Sequence, residues 1–132
     1  MTSVLVLYTS RQGHTARIAR HICQSIEAAG GEAAMMDIVE ATHEGVDWDG
    51  YDVLALGAPV LYGTYDKSFL EFVAAHKDDL SRKPNSFFNV SVVARTPEKA
   101  TVAGNRYMQK FLELSPWKPK DLKVIAGKVD YP

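Results

Sequence analysis

The sequence predicts an α/β chain: a doubly wound parallel sheet of five strands in a single domain. Three observations carry that prediction. Apolar runs alternate with helical stripes along the whole chain, and strands separated by helices of about ten to fifteen residues imply βαβ crossovers and a parallel sheet. The runs are continuously apolar rather than alternating, as in strands covered on both faces. The chain has 132 residues, 46% hydrophobic and 23% charged. That is the composition of one globular domain that buries roughly two-thirds of its unfolded surface.

The elements follow in order. VLVLY (4–8) is the first strand. Over residues 13–29, Ile18, Ala19, Ile22, Cys23 and Ile26 fall at helical spacing, with Arg17, Arg20, Gln24 and Glu27 on the other side, and Gly30-Gly31 ends the helix. EAAMMDIV (32–39) reads as a second strand, followed by a polar loop through Trp48 and Gly50. YDVLALGA (51–58) is the third strand, stopped by Gly57 and Pro59. One helix is predicted over 67–80, with Phe69, Phe72, Val73 and Leu80 on its apolar stripe. SFFNVSVV (86–93) is the fourth strand, 105–114 a helix carrying Tyr107, Met108, Phe111 and Leu112, and DLKVIAG (121–127) the fifth strand. Five strands in so short a chain suit a flavodoxin-like sheet of order 2-1-3-4-5. A Rossmann half would instead want G-x-G-x-x-G after the first strand, and that spacing occurs nowhere. Such a sheet usually ends in a further helix against strands one and five. The sequence stops at Tyr131-Pro132 without it, so that face is expected to be covered by further chain or by a partner.

Bulk properties exclude several classes. A formal net charge of −1 argues against nucleic-acid binding and against the acidic field with which small electron carriers dock. The one cysteine, Cys23, allows no internal disulfide, so a reducing, cytoplasmic setting is expected. No apolar run reaches about eighteen residues, and the N-terminus lacks a basic flank and a small-residue cleavage site. The expectation is a chain neither spanning nor secreted, with peripheral membrane contact left open.

The informative turn is TSRQGHT (9–15), between the first strand and the first helix. A helix N-terminus presents backbone N–H groups without internal partners and the positive end of the macrodipole. Thr9, Ser10 and Thr15 place hydroxyls there, Gly13 admits close backbone approach, and Arg11 adds a positive charge. This is a phosphate cradle. No Gly-Lys-Ser/Thr follows, which favours a structurally held monophosphate over a triphosphate. The plainer alternative is that Ser10 or Thr15 caps the helix and Gly13 turns the chain. In an open parallel sheet, ligands sit beyond the carboxyl ends of the strands where the order reverses, here between strands one and three. The loop after strand three, GAPVLYGTYDKS (57–68), offers Pro59, Tyr62, Gly63 and Tyr65 to frame a flat ring. The loop after strand four, SVVARTPEKATVAGN (91–105), lies beside it. A phosphate at the first loop and a planar ring between the other two describe flavin mononucleotide, FMN.

The stretches TSRQGHT, GAPVLYG-Y, FFNVSVVARTPEK, NRYMQKFL and W-P-DLKVIAG resemble the menaquinone-dependent protoporphyrinogen IX dehydrogenases, the flavodoxin-like protoporphyrinogen oxidases of haem synthesis. The likeness runs from Val4 to Pro132. It implies an FMN enzyme that takes six electrons from protoporphyrinogen IX and passes them to a membrane quinone such as menaquinone or ubiquinone. By position, the resemblance assigns Ser10, Arg11, Gln12, Gly13, His14 and Thr15 to the phosphate. It assigns Ala58, Pro59, Val60, Leu61, Tyr62 and Gly63, with Ser91, Val92, Val93, Ala94 and Arg95, to the flanks of the flavin ring. Family members continue past the Tyr-Pro seen here, through a basic and aromatic insertion and a closing helix. That implies peripheral association with the membrane or respiratory chain.

Arg95, Lys99 and Arg106, on or near the third loop, are candidates to pair the propionates of the substrate. No residue reads as a committed acid or base. His21, His43 and His76 are too scattered for metal ligation, and Cys23 falls on an apolar stripe, where a buried small hydrophobe is the usual outcome. Two functions on the same fold stand as alternatives: a flavodoxin-type electron carrier and an NAD(P)H:quinone reductase. A domain that has lost its cofactor is a third. Self-association is expected of a sheet with an uncovered face.

Overall fold

The computed structural model describes residues 2–9, 13–59, 65–91 and 106–126. Five strands form one parallel sheet: β1 (Ser3–Tyr8), β2 (Glu32–Asp37), β3 (Val53–Pro59), β4 (Asn85–Ser91) and β5 (Leu122–Ala126), in the order β2-β1-β3-β4-β5. The predicted sheet and its order are therefore present. The helices are α1 (His14–Ala28), α2 (Ile38–Glu44), α3 (Lys67–Ala75), α4 (Lys77–Ser81) and α5 (Arg106–Leu114).

Successive strand residues point to opposite faces, and the continuous apolar runs thus serve two cores at once. On one face Leu5, Leu7, Leu54, Leu56, Ala58 and Phe87 lie in a single cluster with Ile38 of α2, Phe69 and Phe72 of α3, Leu80 of α4 and Met108 and Phe111 of α5. On the other, Val4, Val6, Ala55 and Phe88 pack with Ala19 and Cys23 of α1. Below the amino ends of β4 and β5, the buried Asn85 ties the chain together. Its Nδ2 donates to the carbonyls of Leu80 (2.9 Å) and Lys83 (2.8 Å), and its Oδ1 accepts from the Lys120 N–H (2.8 Å). The end of the sheet opposite the carboxyl edge is held by this network.

Three elements depart from the sequence expectation. The second strand ends at Asp37 rather than Val39, because the Asp37 carboxylate accepts from the Val39 N–H (2.7 Å) and caps α2, which occupies part of the expected polar loop. The helix expected over 67–80 is two helices, broken at His76. There the imidazole packs on Phe72 (4.5 Å) and Trp48 (5.3 Å), with Nδ1 3.5 Å from the Asp79 carboxylate. Gly57 does not stop the third strand, since β3 runs on through it and ends at Pro59. Gly57 is needed inside it, because a Cβ there would stand 2.0 Å from Phe88 Cζ.

Candidate functional site

At the carboxyl edge, β1 and β3 are neighbours in register, Tyr8 opposite Gly57, and the Thr9 N–H continues the ladder to the Gly57 carbonyl (3.1 Å). Beyond that edge the chain leaves β1 toward β2 on one side and leaves β3 toward β4 on the other. The connections diverge, which in open parallel sheets marks the edge where a ligand binds.

The amino end of α1 stands at this edge. Its N-cap, Gly13, has φ 83° in the left-handed region, which favours glycine. A Cβ there would meet nothing within 4 Å, so glycine is required by the backbone conformation and not by crowding. Among the described residues no side chain caps α1, and its first turn carries no acidic residue. Two positions on, Thr15 is 1% exposed, and its Oγ1 is buried without a hydrogen-bond partner among the described residues. Leaving a buried hydroxyl unmade costs about 1–3 kcal/mol. A positively polarised helix end that no described side chain caps, with the buried Thr15 hydroxyl beside it, fits the phosphate group of FMN. The capping alternative fails for Thr15, whose hydroxyl caps nothing.

The other expected site residues divide by place. Ala58 is fully buried in the core under α3 and α5, so only its backbone is available to a ligand. Pro59 is half-buried at the end of β3, and Ser91 ends β4. Arg106 opens α5. Ser10, Arg11, Gln12, Val60, Leu61, Tyr62, Gly63, Val92, Val93, Ala94, Arg95 and Lys99 lie outside the described residues, as does the side chain of His14. The described strands β1, β3 and β4 lead directly into those segments.

Tyr65, expected to help frame the ring, is instead 4% exposed and packed edge-on against Phe87 (6.0 Å) and Phe111 (5.6 Å). Its hydroxyl accepts from Nδ2 of Asn89 (3.2 Å), itself wholly buried. Burial pushes the phenol up to about 12, against a smaller opposing effect of the Asn89 hydrogen bond. The sequence carries one signal of this buried pair: Asn89 is the one amide inside the apolar run SFFNVSVV.

Among the described residues, the groups with shifted pKa values lend no nucleophile or base. Burial pushes the Cys23 thiol up, with Glu27 adding to the effect, so the thiol stays protonated. Tyr8 is raised first by burial, then by the Asp37 carboxylate, with Arg20 opposing. Among the described residues no group of three or more His, Cys, Asp or Glu is placed to hold a metal ion, and no helix is long and apolar enough to cross a membrane.

Comparison with known proteins gives a consistent picture. Residues 5–132 match the family model described as a flavodoxin domain. The chain is 38% identical over 128 residues to a protoporphyrinogen IX dehydrogenase [quinone] of Escherichia coli K12, covering 97% of this chain and 70% of that protein. It is 34% identical over 130 residues to a protein of the same name from Leishmania major, covering 97% of this chain and 55% of that one. The crystal structure of oxidised flavodoxin 1 from Bacillus cereus superposes with a TM-score of 0.60 at 22% identity, covering 98% of this chain and 87% of that one. That last likeness concerns the fold alone.

Proposed function

The chain belongs to the flavodoxin-domain family of quinone-dependent protoporphyrinogen IX dehydrogenases, and from that premise we propose that it binds FMN and oxidises protoporphyrinogen IX to protoporphyrin IX with a quinone as acceptor. The observation that carries the reading is the buried Thr15 hydroxyl at the start of α1, without a hydrogen-bond partner among the described residues, beside the strand-order switch between β1 and β3. Bound FMN supplies two-electron acceptance, used three times over for a six-electron oxidation.

The residues of the chain bind, orient and shield. Residues 10–15 hold the phosphate, with Thr15 donating its hydroxyl and the α1 amides their N–H groups. Residues 58–63 and 91–95 flank the ring, and Arg95, Lys99 and Arg106 pair the carboxylates of the substrate. Residues 1–132 act as one flavin-binding domain, in peripheral contact with the cytoplasmic face of a membrane that holds the quinone, and self-association covers exposed sheet.

An anaerobic titration tests this. The chain is loaded with FMN and mixed with protoporphyrinogen IX, and flavin bleaching is followed together with porphyrin fluorescence. Bleaching with porphyrin appearing, then recovery on adding a quinone, is the expected result. A flavin that stays oxidised with the porphyrinogen but bleaches with NAD(P)H would overturn the substrate assignment in favour of a quinone reductase.

A further inference from the structure

Helix α2 is too short to cover the strand it follows. Its 7 residues span about 10 Å, whereas the 6 residues of β2 span about 20 Å. The chain leaves α2 at Gly45, whose φ of 80° favours glycine, and returns to the start of β3 through Val46, Asp47 and a short 3-10 turn, Trp48–Gly50. Between this return and the sheet lies a hollow of about 510 Å³, within the range of small-molecule pockets. Leu5 of β1 and Met36 of β2 form its floor, Val46 and Tyr51 its apolar walls, and Glu44 and Asp47 bring carboxylates to it. Neither carboxylate is used by the fold. Asp47 stands at the N-cap of the 3-10 turn, yet its side chain accepts no hydrogen bond there. The N-cap carboxylates of Asp37 and Asp66, by contrast, each accept from an N–H of their helix (2.7 and 2.8 Å). The Asp47 Oδ2 lies instead against Gly50, where an added Cβ would stand 2.6 Å away. Glu44 closes α2, at the end where the helix dipole disfavours a carboxylate. Among the described residues neither side chain has an ion-pair or hydrogen-bond partner. The ammonium of Lys83 donates to the Tyr51 carbonyl (2.5 Å) and pairs with neither of them.

We propose that this hollow is a binding site for a small amphipathic organic cation, an amine or guanidine carried on an apolar body. The body covers Leu5, Met36 and Val46, and the cationic head faces Glu44 and Asp47 beside the aromatic wall of Tyr51. Met36, Val46 and Tyr51 are only half-buried in the free chain, so such a ligand removes further apolar surface from water. An anion would meet two carboxylates here, and a neutral ring would leave both unanswered. The site lies on the face of the sheet beneath residues 44–51, apart from the carboxyl edge of β1 and β3, and it stands independently of the flavin reading.

The test uses tryptamine as the probe and tryptophol, the same indole with a hydroxyl in place of the ammonium, as the control. Backbone amide shifts of the isotope-labelled chain, recorded without FMN and again with it, locate each probe and give its dissociation constant. The expected result is a set of shifts at Met36, at residues 44–47 and at Tyr51, the same with and without FMN. Tryptamine should bind about three- to tenfold tighter than tryptophol, and added salt should narrow the difference. The double variant Glu44→Gln with Asp47→Asn changes only exposed side chains. It should melt as wild type does and bind tryptamine no better than tryptophol. Equal binding of the two probes to wild type, undiminished tryptamine binding in the double variant, or shifts absent from the hollow would each overturn the proposal. Should the double variant not fold, the comparison of the two probes on wild type decides alone.

Discussion

The ring of Phe88 lies directly over Gly57 on the neighbouring strand, so close that an added Cβ would stand 2.0 to 2.7 Å from three of its carbons. The two residues are paired in register across β3 and β4, on the face that α1 covers. By lying over the glycine, Phe88 reaches 3% exposure. Gly57→Ala forces the ring away. Overpacking of this kind costs about 1–3 kcal/mol, read as a lower melting temperature, and Gly57→Ala with Phe88→Leu should recover part of it. An alanine variant as stable as wild type would show that the ring shifts freely.

Thr15 separates binding from stability. Its hydroxyl is buried and unpartnered among the described residues without ligand. Thr15→Val should therefore leave the cofactor-free protein as stable as wild type, or more so by up to about 1 kcal/mol, while FMN binds more weakly. Riboflavin, which lacks the phosphate, serves as the control. Equal loss for FMN and riboflavin would move Thr15 away from the phosphate.

The buried Tyr65 phenol makes stability depend on pH at the alkaline end. Its pKa is pushed up from 10.0 to about 12 in the folded chain. The folded state therefore holds a proton that the unfolded state releases between those values. Its contribution is complete below pH 10 and is lost as pH rises toward about 12, a total of about 2–3 kcal/mol. In denaturant melts, wild type should lose about 2–3 kcal/mol relative to Tyr65→Phe as pH rises through that window, while the variant shows no such loss. Parallel curves would mean that the phenol is not desolvated.

Asp37 ends β2 and starts α2 with one carboxylate, through its 2.7 Å bond from the Val39 N–H. Asp37→Ala should cost about 1 kcal/mol, and Asp37→Asn much less, since asparagine caps nearly as well. Chemical denaturation of the two variants distinguishes capping from charge. Equal losses would assign the effect to the carboxylate's charge.

The fold was legible because its strands carry an unmistakable signal. Runs such as VLVLY (4–8) and VLALGA (53–58) carry no polar side chain, which a strand covered on both faces requires. The α2 helix was not legible. It is seven residues long, its apolar stripe is Ile38 and Ala41 alone, and the alternative of extending β2 through Ile38-Val39 has the same local appeal. The break at His76 was hidden for a related reason: Phe72, Val73 and Leu80 stay in phase across it. Of the candidate site, the left-handed Gly13 at the start of α1 could be read from residue type, since a glycine at a strand-to-helix junction marks a turn that other residues resist. The burial of Tyr65 could not, since a tyrosine three residues after another tyrosine and two after a glycine reads equally well as a ring-framing loop.

What the sequence determined by itself is periodicity: which segments are strands and helices, that the strands are buried and parallel, and where β1 hands over to α1. These follow from local patterns of residues a few positions apart. Only the tertiary structure decided which side chains meet across long separations. The Phe88 ring over Gly57, the Asn89 amide on the Tyr65 hydroxyl 24 residues away, and the Thr15 hydroxyl left without a partner are of this kind. Each depends on how two strands or a strand and a loop are placed against each other, and that placement is a property of the packed cores rather than of any local stretch.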